Sequence, residues 1–122
     1  MNNSNNIPVK TSKIAIRTHT GTKVIYPQHI IYCKADGRYT RIFLKNREPI
    51  LVSKLIKRFE EILPEEDFFR VHKSYLVNIN YISEFKNPRN KILILVNNTE
   101  FNIAVRRKSK FISFLRKKMV LV

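Results

Sequence analysis

Along the first half of the chain, runs of β-branched and aromatic residues (KIAIRTH, TKVIYP, IIYCKA, YTRIFLK and PILV) follow one another with too little between them to house a helix. Parallel neighbours need a crossover of a dozen or more residues, so strands spaced this closely must pair antiparallel. Turn residues punctuate the runs: Thr20-Gly21 suits the reversal of the first pair, and Asp36-Gly37 is a strong hairpin signal between the third and fourth. Further on, KILILV and EFNIAV are joined through Asn97 and Asn98, residue types that tolerate the positive φ of a tight hairpin. Between these groups FFRVHKSYLVNINYISEF reads as a strand, a short irregular or helical crossing, and another strand.

Two segments change period. Leu55, Ile56, Phe59, Ile62 and Leu63 form one apolar stripe of a helix over 54–63, with Ser53 placed to cap it and Pro64 to end it. Phe111, Phe114, Leu115 and Met119 repeat in the same way within a basic C-terminal helix, whose Lys110, Arg116, Lys117 and Lys118 face outward. The expected class is mostly β, in a single domain over residues 13–122 behind a flexible lead-in over 1–12.

Charge narrows the choice of partner. Against 24 Lys and Arg stand only 9 Asp and Glu, a formal net charge of +15 on 122 residues, and self-repulsion of that size points to an anionic partner. Five of the nine acids (Glu60, Glu61, Glu65, Glu66 and Asp67) sit in one short stretch, so the remainder is almost uniformly basic.

Other chemistries lack their residues. Two glycines, Gly21 and Gly37, cannot build a phosphate-cradling loop of the P-loop or dinucleotide type. His19, His29 and His72 have no metal-binding spacing, and Cys33 is the only cysteine, which rules out an intrachain disulfide. A Cys33/His72 nucleophile pair has the right side chains but no supporting motif, and Cys33 within an apolar strand reads as a small buried hydrophobe. The acidic cluster reads as a solvated helix end rather than paired catalytic carboxylates. An enzyme is not expected, nor a cofactor or metal. No apolar run reaches the roughly 20 residues of a membrane helix, Met1 to Asn6 is polar, and a cytoplasmic location without membrane insertion is expected.

The string RVHKSYLVN, within FFRVHKSYLVNINYI from Phe68 to Ile82, closely resembles the signature of the LytTR family of bacterial DNA-binding domains. IIYCKADGRYTRIFL upstream and NIAVRRKSKFISFL downstream extend the resemblance over Lys13 to Lys118. It implies three small antiparallel β-sheets with a short helix beside them and a basic C-terminal helix, loops being presented to successive grooves of DNA. Base contacts would come from Tyr39, Thr40, Arg41, Lys73 and Arg106, and backbone contacts from His72, Ser74, Asn102, Arg107 and Lys110.

The chemistry of these residue types agrees. A Lys or Arg on a loop tip can reach the O6 and N7 acceptors of guanine in the major groove, while short neutral Ser74 and Asn102 suit phosphate oxygens. Two alternatives stay open: His72 either touches phosphate or supports the loop from beneath, and either Arg106 or Arg107 is the more exposed at the last loop. Asn78 is expected to close a turn. The chain departs from the family pattern at Lys34, Arg106 and Ser109, where many members carry an acidic residue, a Ser and an aromatic.

The resemblance further implies a transcription regulator of the response-regulator kind, whose domains bind as a pair on repeated half-sites of duplex DNA. With only about a dozen residues before the first strand, either the chain is a fragment or a separate protein supplies control in trans. The competing expectation is an RNA-binding or ribosome-associated module that stacks unpaired bases on Tyr39, Phe43 or Tyr75. A weaker one is a protein-interaction domain whose charge aids solubility.

Overall fold

A computed structural model describes residues 13–86, 92–120 and 122; the lead-in over 1–12 lies outside them. The first two runs form β1 (Ile14–Thr18) and β2 (Gly21–Ile25), an antiparallel hairpin in which Thr18 pairs with Gly21. Its loop is therefore His19 and Thr20, one residue earlier than expected, and the Thr18 hydroxyl fastens it by donating to the Gly21 carbonyl (2.9 Å).

β3 (Ile30–Asp36) and β4 (Tyr39–Leu44) turn through Gly37 and Arg38. Gly37 sits at φ +62°, where a Cβ is disfavoured, so glycine belongs at this position. β4 continues antiparallel to β5 (Ile50–Val52). The signature string supplies three strands where two were expected: β6 (Phe68–His72) and β7 (Tyr75–Asn78) form a hairpin over Lys73 and Ser74, and after a 3-10 turn at Ile79–Tyr81 comes β8 (Ile82–Lys86). The expected crossing is that 3-10 turn, and Asn78 closes it, accepting from the Asn80 N–H (2.9 Å) while its amide donates to the Ile30 carbonyl (2.9 Å). β9 (Ile92–Leu95) and β10 (Glu100–Asn102) turn with Asn98 at φ +68°, as the Asn-Asn pair predicts.

Among the described residues the sheets have two, five and three strands, the central one ordered β5-β4-β3-β7-β6 and the third β10-β9-β8. All pairs among the described residues are antiparallel, matching the expected mostly-β class. Because strand side chains alternate, the central sheet buries both faces. Cys33, Ile42, Leu44 and Leu76 pack with Ile16 and Ile25 of the first hairpin and with α1 (Ile56–Ile62). Tyr32, Val71 and Val77 on the opposite face pack with Leu93, Leu95 and Phe101 of the third sheet and with Phe111 and Leu115 of α2 (Lys108–Arg116).

Helix α1 is shorter than its periodicity predicts. Its first residue follows Leu55, which is extended and 60% exposed, so Leu55 lies off the apolar stripe and Ser53 does not cap. The cause lies in β4: the Thr40 hydroxyl donates to the Lys54 carbonyl (2.7 Å), which holds the chain in line with β5 for two residues beyond Val52. Leu63 and Pro64 end the helix as expected. In α2, Phe111 and Leu115 are buried and Phe114 half-buried, whereas Met119 lies beyond the last turn and is exposed.

Candidate nucleic-acid interface

β3 and β6 run toward one end of the central sheet, and β4 and β7 start from it, so two hairpin loops share that end: Gly37-Arg38 and Lys73-Ser74. The loops are tied together, since the Ala35 N–H donates to the Ser74 carbonyl (2.8 Å). A third loop joins them through a bulge in β6. Arg70 faces Leu76 and His72 faces Tyr75, so Val71 is the extra residue whose carbonyl the ladder leaves unpaired. The Ala104 N–H donates to that carbonyl (2.9 Å), and the Arg107 guanidinium donates to the Arg70 carbonyl (3.1 Å). These bonds cover the free edge of β6 with the 3-10 turn Val105–Arg107.

The Lys73 loop is rigid for reasons beyond its own backbone. His72 Nδ1 accepts the Ser74 N–H (3.1 Å), and the imidazole lies against the Tyr75 ring (centroids 5.7 Å). Arg70 donates from Nε to the Lys73 carbonyl (3.1 Å), adds a second bond there from Nη2, and pairs through Nη1 with Glu60 of α1 (2.7 Å). The carbonyl of Lys73 is thus clamped, while its ammonium projects without a partner among the described residues.

The expected contact residues separate on this geometry. Lys73 and Arg106 are exposed with free charged ends among the described residues, and Tyr39 is 46% exposed at the head of β4. Arg41 is half-exposed and paired with Asp36 (3.1 Å). Thr40 is 0% exposed with its hydroxyl committed to Lys54, so it is a structural residue, and its expected base contact does not fit this arrangement. His72 supports its loop from beneath, and Arg107 is the half-buried arginine bracing the last loop, leaving Arg106 the exposed one. Ser74 is half-buried beside Lys73; Asn102 is exposed two residues before the anchoring Ala104; Lys110 is exposed in the first turn of α2.

Two features of this end were not read from sequence. Arg38, Lys54, Lys57 and Arg58 line a shallow groove beside the Gly37 turn with Glu61, which pairs with Arg58 (3.8 Å), and the Thr40–Lys54 bond holds Lys54 there. Val105, next to Arg106, is 83% exposed. The acidic turn Glu65-Glu66-Asp67 immediately precedes β6 and so lies at the opposite end of the sheet from Lys73.

Catalytic readings lose their reagents here. Cys33 is fully enclosed, and burial pushes its thiol from 9.0 up to about 12, which removes it as a nucleophile near neutral pH. Among the described residues no three His, Cys, Asp or Glu side chains gather as a metal site. Nor is any helix among them long and apolar enough to cross a membrane.

Among the described residues the strands are antiparallel, two cation-bearing hairpin tips share one end of the central sheet, and the Arg106 turn is bonded to the edge strand that leads to one of them, an arrangement suited to an anionic partner. Residues 20–116 match the family model of the LytTr DNA-binding domain, and the chain belongs to that family. It is thus a non-enzymatic domain whose partner is DNA, of the kind found in transcription regulators. Among its relatives, the transcriptional regulatory protein NatR of Bacillus subtilis is 32% identical over 73 residues, 60% of this chain and 31% of NatR. The sensory transduction protein LytT of Oceanobacillus iheyensis is 33% identical over 75 residues, 62% of this chain and 30% of that protein. The chain thus spans about a third of the length of these curated relatives. In fold it is similar to a LytTr DNA-binding domain from Bacillus cereus, with TM-score 0.73 and 22% identity, over 85% of this chain and 96% of that one.

Proposed function

We propose that the chain reads duplex DNA sequence-specifically with the three loops at one end of its central sheet and so directs a bacterial transcription regulator to its operator. The observation that carries this is the mutual bracing of the loops. Ala35 to Ser74, Ala104 to Val71 and Arg107 to Arg70 fix the Gly37, Lys73 and Arg106 tips relative to one another before any ligand arrives. A preset spacing between cationic tips is what periodic grooves require, and it spares the ordering cost of loose loops.

Lys73 and Arg106 read base edges, Tyr39 and Arg41 stand beside them, and Arg38, Ser74, Asn102 and Lys110 hold phosphates, with Lys54 and Lys57 adding to the attraction. Single-strand recognition fits less well. Tyr32 stacks on Phe43 (4.3 Å), and Phe101 packs on Tyr32 (4.9 Å) and Tyr75 (4.7 Å), so two of the three rings considered for base stacking are engaged in the core.

Selection from random duplex DNA, followed by titration over a range of salt, tests the reading. For about six neutralised phosphates, log affinity falls against log salt with a slope near −5. Lys73→Ala and Arg106→Ala each weaken the selected site by about 1 to 3 kcal/mol and relax base preference locally. Unchanged specific binding in both variants, or a preference for single-stranded RNA over duplex, would overturn the proposal.

A further inference from the structure

Val105 is more exposed than the other large apolar residue of the reading loops, Leu55, at 83% against 60%. Large apolar side chains are normally withdrawn from water, yet this one is 83% exposed between Ala104 and Arg106. Looseness does not explain it: the Arg107 N–H donates to the Ala104 carbonyl (2.9 Å), and Ala104 and Arg107 are both bonded to β6. The turn holds an apolar branched side chain outward beside a free guanidinium, against the edge strand that carries the Lys73 loop.

A phosphate offers such a side chain nothing, and sugars offer little. One group in the major groove does match it: the C5-methyl of thymine, the only apolar landmark among the base edges there. We propose that Val105 is a specificity-determining residue that packs on a thymine methyl in the base pair beside the one read by Arg106. The inference rests on the loop reading above and adds the chemistry of one base to it. Together the two side chains distinguish a thymine from a cytosine at one position and a guanine at its neighbour, the first by apolar contact and the second by hydrogen bonding.

The test exchanges one methyl group at a time. In the duplex recovered by selection, each thymine is replaced singly by uracil, which keeps the O4 acceptor and pairing and loses only the C5-methyl. Burying a methyl contributes about 0.8 kcal/mol, so wild-type affinity should fall about threefold to fourfold at one thymine and stay level at the rest. Val105→Ala should bind thymine and uracil duplexes alike at that position, while Arg106→Lys keeps the thymine preference. Equal uracil sensitivity in wild type and Val105→Ala overturns the inference, as does a selected site with no methyl-sensitive thymine. If Lys73→Ala or Arg106→Ala still loses base preference in that case, only the thymine contact has failed; if neither does, the loop reading has failed with it. Circular dichroism of Val105→Ala confirms folding, which an exposed position should not disturb.

Discussion

Thr40 and Lys73 show how differently neighbouring roles are legible at the scale of a residue. Both fall within strings that resemble DNA-contacting loops, but strand alternation turns Thr40 inward and leaves Lys73 at a tip. Removing the Thr40 hydroxyl leaves the Lys54 carbonyl without its donor, so Thr40→Val should lower stability by about 1 kcal/mol or more while the selected base preference stays the same. Urea denaturation and a repeated selection check the two halves; a changed motif in a normally stable variant would return Thr40 to the interface. The roles of His72 and Arg107 were undecided in the sequence for a related reason. Each makes a bond to main-chain atoms that local pattern does not reveal, His72 to Ser74 and Arg107 to Arg70, and in Arg107 that partner is 37 positions distant. Val105 carried no signal in the sequence, because a valine two places after Ile103 in a strand-like run looks the same whether it is buried or held out.

At the scale of elements, the hairpins that announced themselves carry a residue suited to positive φ. Gly37 and Asn98 do so, and their loops lie where expected to within a residue. Only the family resemblance put Lys73 on a loop; local pattern did not show the Lys73-Ser74 hairpin, because neither residue is a turn former of that kind. It is held instead by the His72 imidazole and the Arg70 guanidinium, which only the folded chain brings into place. Helix α1 was placed by its apolar period, and its start was misjudged because a strand contact outcompeted the Ser53 cap. Gly37 also offers a clean probe of loop geometry, since an added Cβ would meet nothing within 4 Å. The cost of Gly37→Ala is then purely conformational, about 1 kcal/mol in stability. Thermal melts should show it, together with weaker binding to the selected duplex as the Arg38 and Tyr39 tip shifts. An Ala variant as stable as wild type would mean the turn relaxes to another conformation.

For the whole molecule, the pairing of β3 with β7, which brings the first and second loops together, joins segments about 40 residues apart and cannot be read from local pattern. The resemblance to a family supplied the three-sheet arrangement; alternation and spacing supplied only the antiparallel class. Net charge has its own consequence at this scale. Two bodies of +15 repel, so we propose that any pair of these domains forms only with the polyanion between its members. Sedimentation velocity at low salt should find single chains without DNA and two per duplex when two half-sites are present, and a stable dimer free of DNA would contradict this.

The acidic turn before β6 and the cationic tips after it stand at opposite poles of the same strands. Lys118 pairs with Asp67 (3.9 Å) and offsets part of that pole, and the asymmetry that remains exerts a torque as well as a pull once a polyanion is within roughly a Debye length, about 8 Å, at physiological ionic strength. Collisions then arrive with the loops foremost more often than blind tumbling would allow, and added salt slows the arrival as well as loosening the grip.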